Sequence, residues 1–255
     1  MIGMPNLFSL DGKVVKNVDL PEAFKFPIRN DLIVRFTNAY QSNGRTPYGS
    51  YWFAGNRRVG HNLGPNHGIS RYPRVAGTSR GVLLSNARGG RSAHHPVTDK
   101  KWDMKVNKKE KVYAKLSALS STVSPELVRR RGHKFTAESL PVILEDRFEQ
   151  IEKTKDAVEV LNKVGVFADI LRSKEGTKIR AGRGKSRGRK YVTPKSVLFV
   201  VKEKGHISKA LENLPGVDIV RPDELNAYVL APGGHPGRLL VITEGALEEV
   251  RGWRL

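Results

Sequence analysis

The chain has 255 residues, 38% of them apolar, enough for one or two domains around a core somewhat smaller than that length usually carries. Lysine and arginine number 45 against 25 acids, and the resulting charge of +20 opposes compact folding unless a polyanion neutralises it. The lack of cysteine excludes disulfides, thiolate metal sites and cysteine nucleophiles; no apolar run approaches a membrane span, and Met1-Ile-Gly-Met-Pro5 is not a charged segment followed by an apolar block, so the expectation is a soluble intracellular chain.

From Leu7 to Leu20 apolar and polar residues alternate around Asp11-Gly12, a turn signal that predicts a hairpin of two short strands. Asn30 then caps a segment with Leu32, Ile33, Phe36, Ala39 and Tyr40 at helical spacing, ending near Asn43-Gly44.

Periodicity then disappears. Between Gln41 and Thr98 the chain has ten Gly, eight Arg, four His and five aromatics, with no Lys and no acid. A structureless loop of this length inside a compact domain is uncommon, and ordinary disordered segments are poor in aromatics, so a segment ordered by a partner is favoured over a plain linker. The chemistry points to RNA. A guanidinium forks onto phosphate and stacks on flat bases as an ammonium cannot, glycine permits close approach, and aromatic rings are platforms for unpaired bases. The candidate contacts are Arg45, Arg57, Arg58, Arg71, Arg74, Arg80, Arg88, Arg91, His94 and His95, with Tyr48, Tyr51, Trp52, Phe53 and Tyr72 as stacking surfaces. The plainer alternative for Trp52 and Phe53 is that they pack on the globular part. A segment that goes out and back can reach at most about 95 Å at about 3.3 Å per residue, and even a third of that would enter a partner rather than lie on it. The expected organisation is a globular RNA-binding α/β domain, residues 1–40 with 102–255, interrupted by an extended arm, 41–101.

Beyond the arm, Lys109 to Thr122 puts Val112, Leu116 and Leu119 on one helical face, and Ser124-Pro125-Glu126 starts a second helix that stops at Gly132. Pro141 to Leu144 reads as a buried strand and Thr154 to Val164 as a helix with Ala157, Val158, Leu161 and Val164 inward. Val197 to Val201, Val217 to Val220 and Leu239 to Thr243 are further strands, with helices over Ser208 to Leu214 and Glu244 to Val250. Strands alternating with helices predict an α/β fold with a mostly parallel sheet flanked by helices.

Between these helices and strands, eight of the seventeen residues from Lys174 to Lys190 are basic. Gly184-Lys185-Ser186 ends as a P-loop does, but Ile179 stands where its first glycine is needed, and a strand-like run follows where a helix should. The segment is instead read as a flexible cationic strip for RNA backbone: Lys178, Arg180, Arg183, Lys185, Arg187, Arg189 and Lys190. No catalytic constellation is discernible: His61, His67, His94 and His95 lack acidic or thiolate partners at zinc spacing, and Glu145-Asp146 and Glu248-Glu249 read as solvated faces. No cofactor, metal site or enzymatic activity is expected. Two other classes are weighed: a nucleic-acid-processing enzyme lacks its acid/base or metal carboxylates, and a membrane-surface protein lacks a Lys-rich amphipathic helix.

The stretches Gly-Arg-Ser-Ala-His-His-Pro (90–96), Leu-Ser-Ala-Leu-Ser-Ser-Thr (116–122), Val-Arg-Arg-Arg-Gly-His (128–133), Ala-Gly-Arg-Gly-Lys-Ser-Arg-Gly-Arg-Lys (181–190) and Leu-Ala-Pro-Gly-Gly-His-Pro-Gly-Arg-Leu (230–239) occur in one order. Together they resemble the family of the fourth protein of the large ribosomal subunit in its archaeal and eukaryotic form, and the end at Leu255, without the long eukaryotic extension, favours the archaeal type. The resemblance implies a cytoplasmic ribosomal protein whose α/β body binds large-subunit ribosomal RNA early in assembly and meets neighbouring subunit proteins. It also implies an arm lining the polypeptide exit tunnel and touching the nascent chain, with Arg74, Gly77, Thr78, Ser79 and Arg80 as candidates for the tip.

Overall fold

The computed structural model describes residues 5–82, 84–86 and 90–253. The chain divides into two compact units, residues 1–40 with 105–255 (the body) and residues 41–104 (the inserted unit).

In the body, strand β1 (Asn6–Phe8) turns through Asp11-Gly12 into β2 (Val14–Asn17), and helix α1 (Asn30–Asn43) follows. After the insertion come α2 (Lys108–Ser120), α3 (Pro125–Arg131), β3 (Val142–Leu144), α4 (Thr154–Val164) and α5 (Phe167–Glu175). A small pair, β4 (Lys178–Ile179) and β5 (Tyr191–Val192), precedes β6 (Leu198–Val200), α6 (His206–Glu212), β7 (Asp218–Val220), α7 (Ala227–Leu230), β8 (Leu240–Thr243) and α8 (Glu244–Arg251). The main sheet has six strands in the order β2-β1-β3-β8-β6-β7, with only the edge pair β1–β2 antiparallel.

Its strands are apolar runs because both faces are covered. Along β6, Leu198 and Val200 enter one core and Phe199 the other; along β8, Leu240 and Ile242 oppose Val241 in the same way. The first core is closed by the 3-10 turn Glu22–Lys25 with Ile33 of α1, and by α2, α7 and α8; the second by α3, α4, α5 and α6. The edge strand β2 is exposed throughout, its Lys16 paired with Glu244 at 2.5 Å, a charged edge of the kind that discourages pairing with other chains.

The mostly parallel α/β sheet agrees with the sequence reading, and several details differ, among them α4, which buries Val160 where Val158 was expected. Helix α2 buries Leu116 and Leu119 but leaves Val112 exposed, because its C-terminal half is buried nearly all round through Ala114, Ser117 and Ala118 while its first turns are not; the helix yields to a 3-10 turn at Ser121. Helix α6 begins at His206 rather than Ser208 and ends at Glu212. Helix α5, not expected at all, buries Asp169 and Ser173 beside Ile170 while Leu171 faces solvent, so its polar pattern is inverted. The cationic strip is not flexible coil: β4 and β5 pair in register Lys178↔Val192 and Ile179↔Tyr191, and Arg183–Arg187 forms a 3-10 turn between them.

Candidate nucleic-acid interface

No helix or strand forms among the described residues from Arg45 to Asn107; the inserted unit is held by crossings between an outgoing and a returning limb. Near its base Asn43 exchanges hydrogen bonds with Met104, Oδ1 accepting from the backbone N–H at 2.7 Å and Nδ2 donating to the carbonyl at 3.3 Å, while Ser42 Oγ donates to Trp102 O at 2.7 Å. Further along, Ser50 N donates to Pro96 O at 2.9 Å. A Cβ on Gly55 would lie 2.6 Å from the Arg91 Cα, and one on Gly60 would overlap the Val82 side chain, so side-chain-free backbone is required where the limbs cross.

Beyond the crossing, His61 and Arg74 exchange backbone hydrogen bonds, and the chain reverses in a turn closed by Val75 N donating to Arg80 O at 3.0 Å and Thr78 N donating to Val75 O at 3.0 Å, with Gly77 at φ +74°. Gly77, Thr78, Ser79 and Arg80 are therefore exposed at a reversal. Arg74 is different. Its Nη1 donates to Ser79 O at 2.5 Å, its Nη2 to Ser70 Oγ at 2.9 Å, and its guanidinium lies 4.2 Å from the Tyr72 ring centre. That geometry makes Arg74 the clamp of the turn, half-buried rather than presented.

Two other arginines sit on aromatic rings. Arg57 lies 4.2 Å from the centre of Tyr51, which is tilted against Phe53, and Arg45 lies 3.9 Å from the centre of Trp102. Lys100 Nζ also lies over Trp102, at 4.5 Å, so this indole has two cations on it. Trp102 was overlooked in the sequence because Arg45, its main partner, is remote along the chain. Arg58, Arg71 and Arg91 are exposed, as is His94 at φ +51°, whereas His95 is half-buried with its ring 6.3 Å from Trp52. Tyr48, Tyr51, Trp52 and Phe53 are each more than half exposed, so Trp52 and Phe53 are not core residues; Tyr72 is partly covered. Arg88 falls outside the described residues.

In the body, the hairpin between β4 and β5 presents Lys178, Arg183, Lys185, Arg187, Arg189 and Lys190 to solvent. Arg180 is partly withdrawn: its Nε donates to Arg189 O at 3.0 Å and its side chain lies over Gly184. Ile179 and Tyr191, facing each other across the pair, are both exposed, and Lys190 lies 5.4 Å from the Tyr191 ring centre. The hairpin thus offers an apolar and aromatic platform ringed by charge. Gly184-Lys185-Ser186 sits in its 3-10 turn, with Ser186 Oγ donating to Arg183 O at 2.9 Å and no α-helix behind it, so it cannot cradle a nucleotide.

Ion pairs occur in the body but not among the described residues of these segments. Among the described residues no salt bridge involves a cation of 41–104 or of 178–190, whereas Arg35, Lys16, Lys163, Arg172, Lys195, Lys204 and Arg238 in the body all pair with carboxylates. At the C-terminal edge of the parallel sheet, where such folds place ligands, the protein's own acids occupy the donors: Glu149 accepts from Lys202 N and Thr243 Oγ1, each at 2.7 Å, and Asp146 accepts from Gly245 N at 2.6 Å. The anion site at the start of α8 is filled from within.

The family model described as the ribosomal protein L4/L1 family matches residues 18–253. The chain is 49% identical over 246 residues to the large ribosomal subunit protein uL4 of Thermoplasma acidophilum, covering 96% of each chain. It is 45% identical over 247 residues to that of Archaeoglobus fulgidus, covering 97% of this chain and 98% of the relative, and 45% identical over 246 residues to that of Methanocaldococcus jannaschii, covering 96% and 97%. With nearly the whole length matched, in order and by archaeal relatives, the chain belongs to the ribosomal protein L4/L1 family.

Proposed function

We propose that this protein is a structural, non-enzymatic constituent of the large ribosomal subunit in the cytoplasm that binds large-subunit ribosomal RNA, supports early subunit assembly and sends residues 41–104 into the RNA toward the polypeptide exit tunnel. The family, and the name its relatives share, support the ribosomal role. The observation that carries the RNA reading is the placing of unneutralised cations on exposed aromatic rings in both basic segments, Arg57 on Tyr51 and Lys190 by Tyr191, a surface that satisfies phosphates and unstacked bases together. Glycine crossings narrow the inserted unit, which suits passage between RNA helices. The exposed reversal at Ala76 to Ser79 is the segment best suited to meet a nascent polypeptide, with Arg74 holding it from behind.

Crosslinking in cells followed by sequencing of the bound RNA tests this reading, with crosslinks from 41–104 and 178–191 expected on large-subunit ribosomal RNA. Recovery chiefly of messenger RNA or DNA would overturn it. Deletion of Ala76 to Ser79 is expected to leave incorporation into the large subunit intact while changing nascent-chain crosslinks. Loss of incorporation equal to that on removing 45–101 would make the reversal an anchor and not a tunnel element.

A further inference from the structure

A cleft of about 580 Å³ opens in the body beside α3, with the segments around Lys195 and Pro232 to Pro236 as its other walls. Arg130, Arg131, His133, Arg172, Lys195 and His235 line it, and among the described residues no carboxylate does. Two of these cations are already committed. Arg172 Nε donates to Asp169 Oδ1 at 2.8 Å, and Lys195 Nζ donates to Asp218 at 2.8 Å. Arg131 donates Nη2 to Pro232 O at 2.8 Å, but its Nη1 is buried with no hydrogen-bond partner. Arg130 is exposed and belongs to no ion pair among the described residues.

His133 adds a second unmet polar atom. Its side chain is 2% exposed, and its Nδ1 lies 2.9 Å from Asp169 Oδ2, so that nitrogen is the donor and the neutral ring keeps a lone pair on Nε2, which has no partner. Buried polar groups are normally satisfied by protein or by bound water, and two orphans on the walls of one cationic cleft mark a place built around something not part of the chain. Burial, then the neighbouring Arg238 and Arg172, pushes the Arg131 guanidinium down to about 10, the signature of a cation held without a counter-charge.

We propose that this cleft seats one backbone phosphate of the RNA the protein binds, with Arg131 and Arg130 as its donors. A guanidinium is suited to this, since its fork matches two phosphate oxygens at once. His133 Nε2, as an acceptor, complements a hydroxyl or a bound water beside the phosphate and not the phosphate itself, so the arginines carry the anion. The site would anchor the α/β body independently of the inserted unit and the β4–β5 hairpin. It rests on the RNA-binding reading above.

The test uses the full chain, the large-subunit RNA fragment recovered by crosslinking, and inorganic phosphate as a separate probe. Replacing both arginines, Arg130→Gln with Arg131→Gln, should reduce the slope of log K against log salt by about 0.7 to 0.9, one phosphate contact, and should do so equally in a chain whose hairpin cations have been replaced. Arg130→Gln alone, at an exposed position that folding does not need, should weaken RNA binding about tenfold, with Arg130→Lys recovering part of it. Inorganic phosphate should shift the Arg131 guanidinium resonances saturably in the wild type. An unchanged slope in the double variant, with wild-type binding still salt-dependent, overturns the phosphate seat even if free phosphate binds, because the site then serves a small anion. If the wild type shows no salt-dependent RNA binding, the RNA reading itself fails, and a missing phosphate shift then overturns the cleft as well.

Discussion

Arg238 and Arg130 carry the same guanidinium and meet opposite surroundings. Arg238 is fully buried, donating to Ser196 O at 3.0 Å, Val229 O at 2.8 Å and Gly216 O at 3.4 Å and pairing with Asp218 at 2.6 Å, so it ties helix α7 and the segments leading into β6 and β7 together. Arg238→Ala should destabilise the body by about 2–5 kcal/mol in denaturant unfolding, since it empties a buried site, removes a side-chain donor from three carbonyls and leaves Asp218 with Lys195 alone. Arg57→Ala, by contrast, should change stability by less than about 0.5 kcal/mol and act on RNA binding alone. Asp169 is buried with hydrogen bonds from His133, Arg172 and the Lys134 N–H. Burial alone would raise its carboxyl, but those donors hold it below the ordinary carboxylate range, while burial lowers the His133 imidazole against the pull of Asp169, with Arg172 and Arg131 adding to the lowering. A histidine whose folded pKa is depressed contributes stability that is complete above its unfolded value of about 6.5 and is lost as pH falls below it. Wild-type unfolding midpoints should therefore drop between about pH 7 and pH 5 more steeply than those of His133→Gln. Equal slopes would mean that His133 is not held neutral.

Among the elements, the β4–β5 hairpin shows charge presented by regular structure. Replacing Arg183, Lys185, Arg187 and Arg189 by Gln should flatten the dependence of log K on log salt by roughly 3 units, at about 0.7 to 0.9 per phosphate, and leave the fold unchanged because these side chains are exposed. Loss of nucleotide affinity with an unchanged slope would restore the P-loop interpretation. The hairpin was hidden in the sequence because its strands are two residues each and its turn residues are basic and small, with no apolar alternation to betray pairing. Helix α5 was hidden for a different reason. Of its three buried positions two, Asp169 and Ser173, are polar and are satisfied by hydrogen bonds with His133, Arg172 and Pro194 O, so beside Ile170 alone the helical stripe reads as polar. The six-stranded sheet was legible because β3, β6 and β8 are buried on both faces and read as unbroken apolar runs. In the inserted unit composition exposed the chemistry of the surface but not its architecture: nothing local distinguishes Arg74, which clamps a turn, from Arg80, which does not, and the limb crossings join residues remote in the chain. Gly55→Val tests the crossings, since φ there is +83° and Arg91 leaves no room. It should loosen backbone protection in 45–98 by hydrogen exchange while the body's unfolding midpoint stays unchanged.

At the scale of the whole molecule, the body and the inserted unit are stabilised by different physics. The body has two apolar cores, one on each face of its sheet, and part of its charge is neutralised by ion pairs such as Arg172–Asp169 and Arg238–Asp218. Residues 41–104 contain ten Lys or Arg against two carboxylates, Asp99 and Asp103, and Val82 is the sole buried apolar side chain among the described residues there. Fixing each residue's backbone costs about 1–2 kcal/mol of entropy, and without a core only hydrogen bonds, cation–π contacts and glycine crossings oppose that cost and the mutual repulsion of the arginines. The inserted unit should accordingly open far more often than the body, and a polyanion should close it, because neutralised arginines no longer repel and stacked rings gain partners. Limited proteolysis of the isolated protein should cut first between Gln41 and Lys101. Adding the ribosomal RNA fragment should suppress those cuts more than raising salt to the same ionic strength does, since salt screens repulsion over about 8 Å near 0.15 M but supplies no stacking or forked contacts. First cleavage in Val197 to Val201 with 41–101 intact would place the weak point in the sheet, and equal protection by salt and RNA would mean that charge screening alone, without recognition, orders the inserted unit.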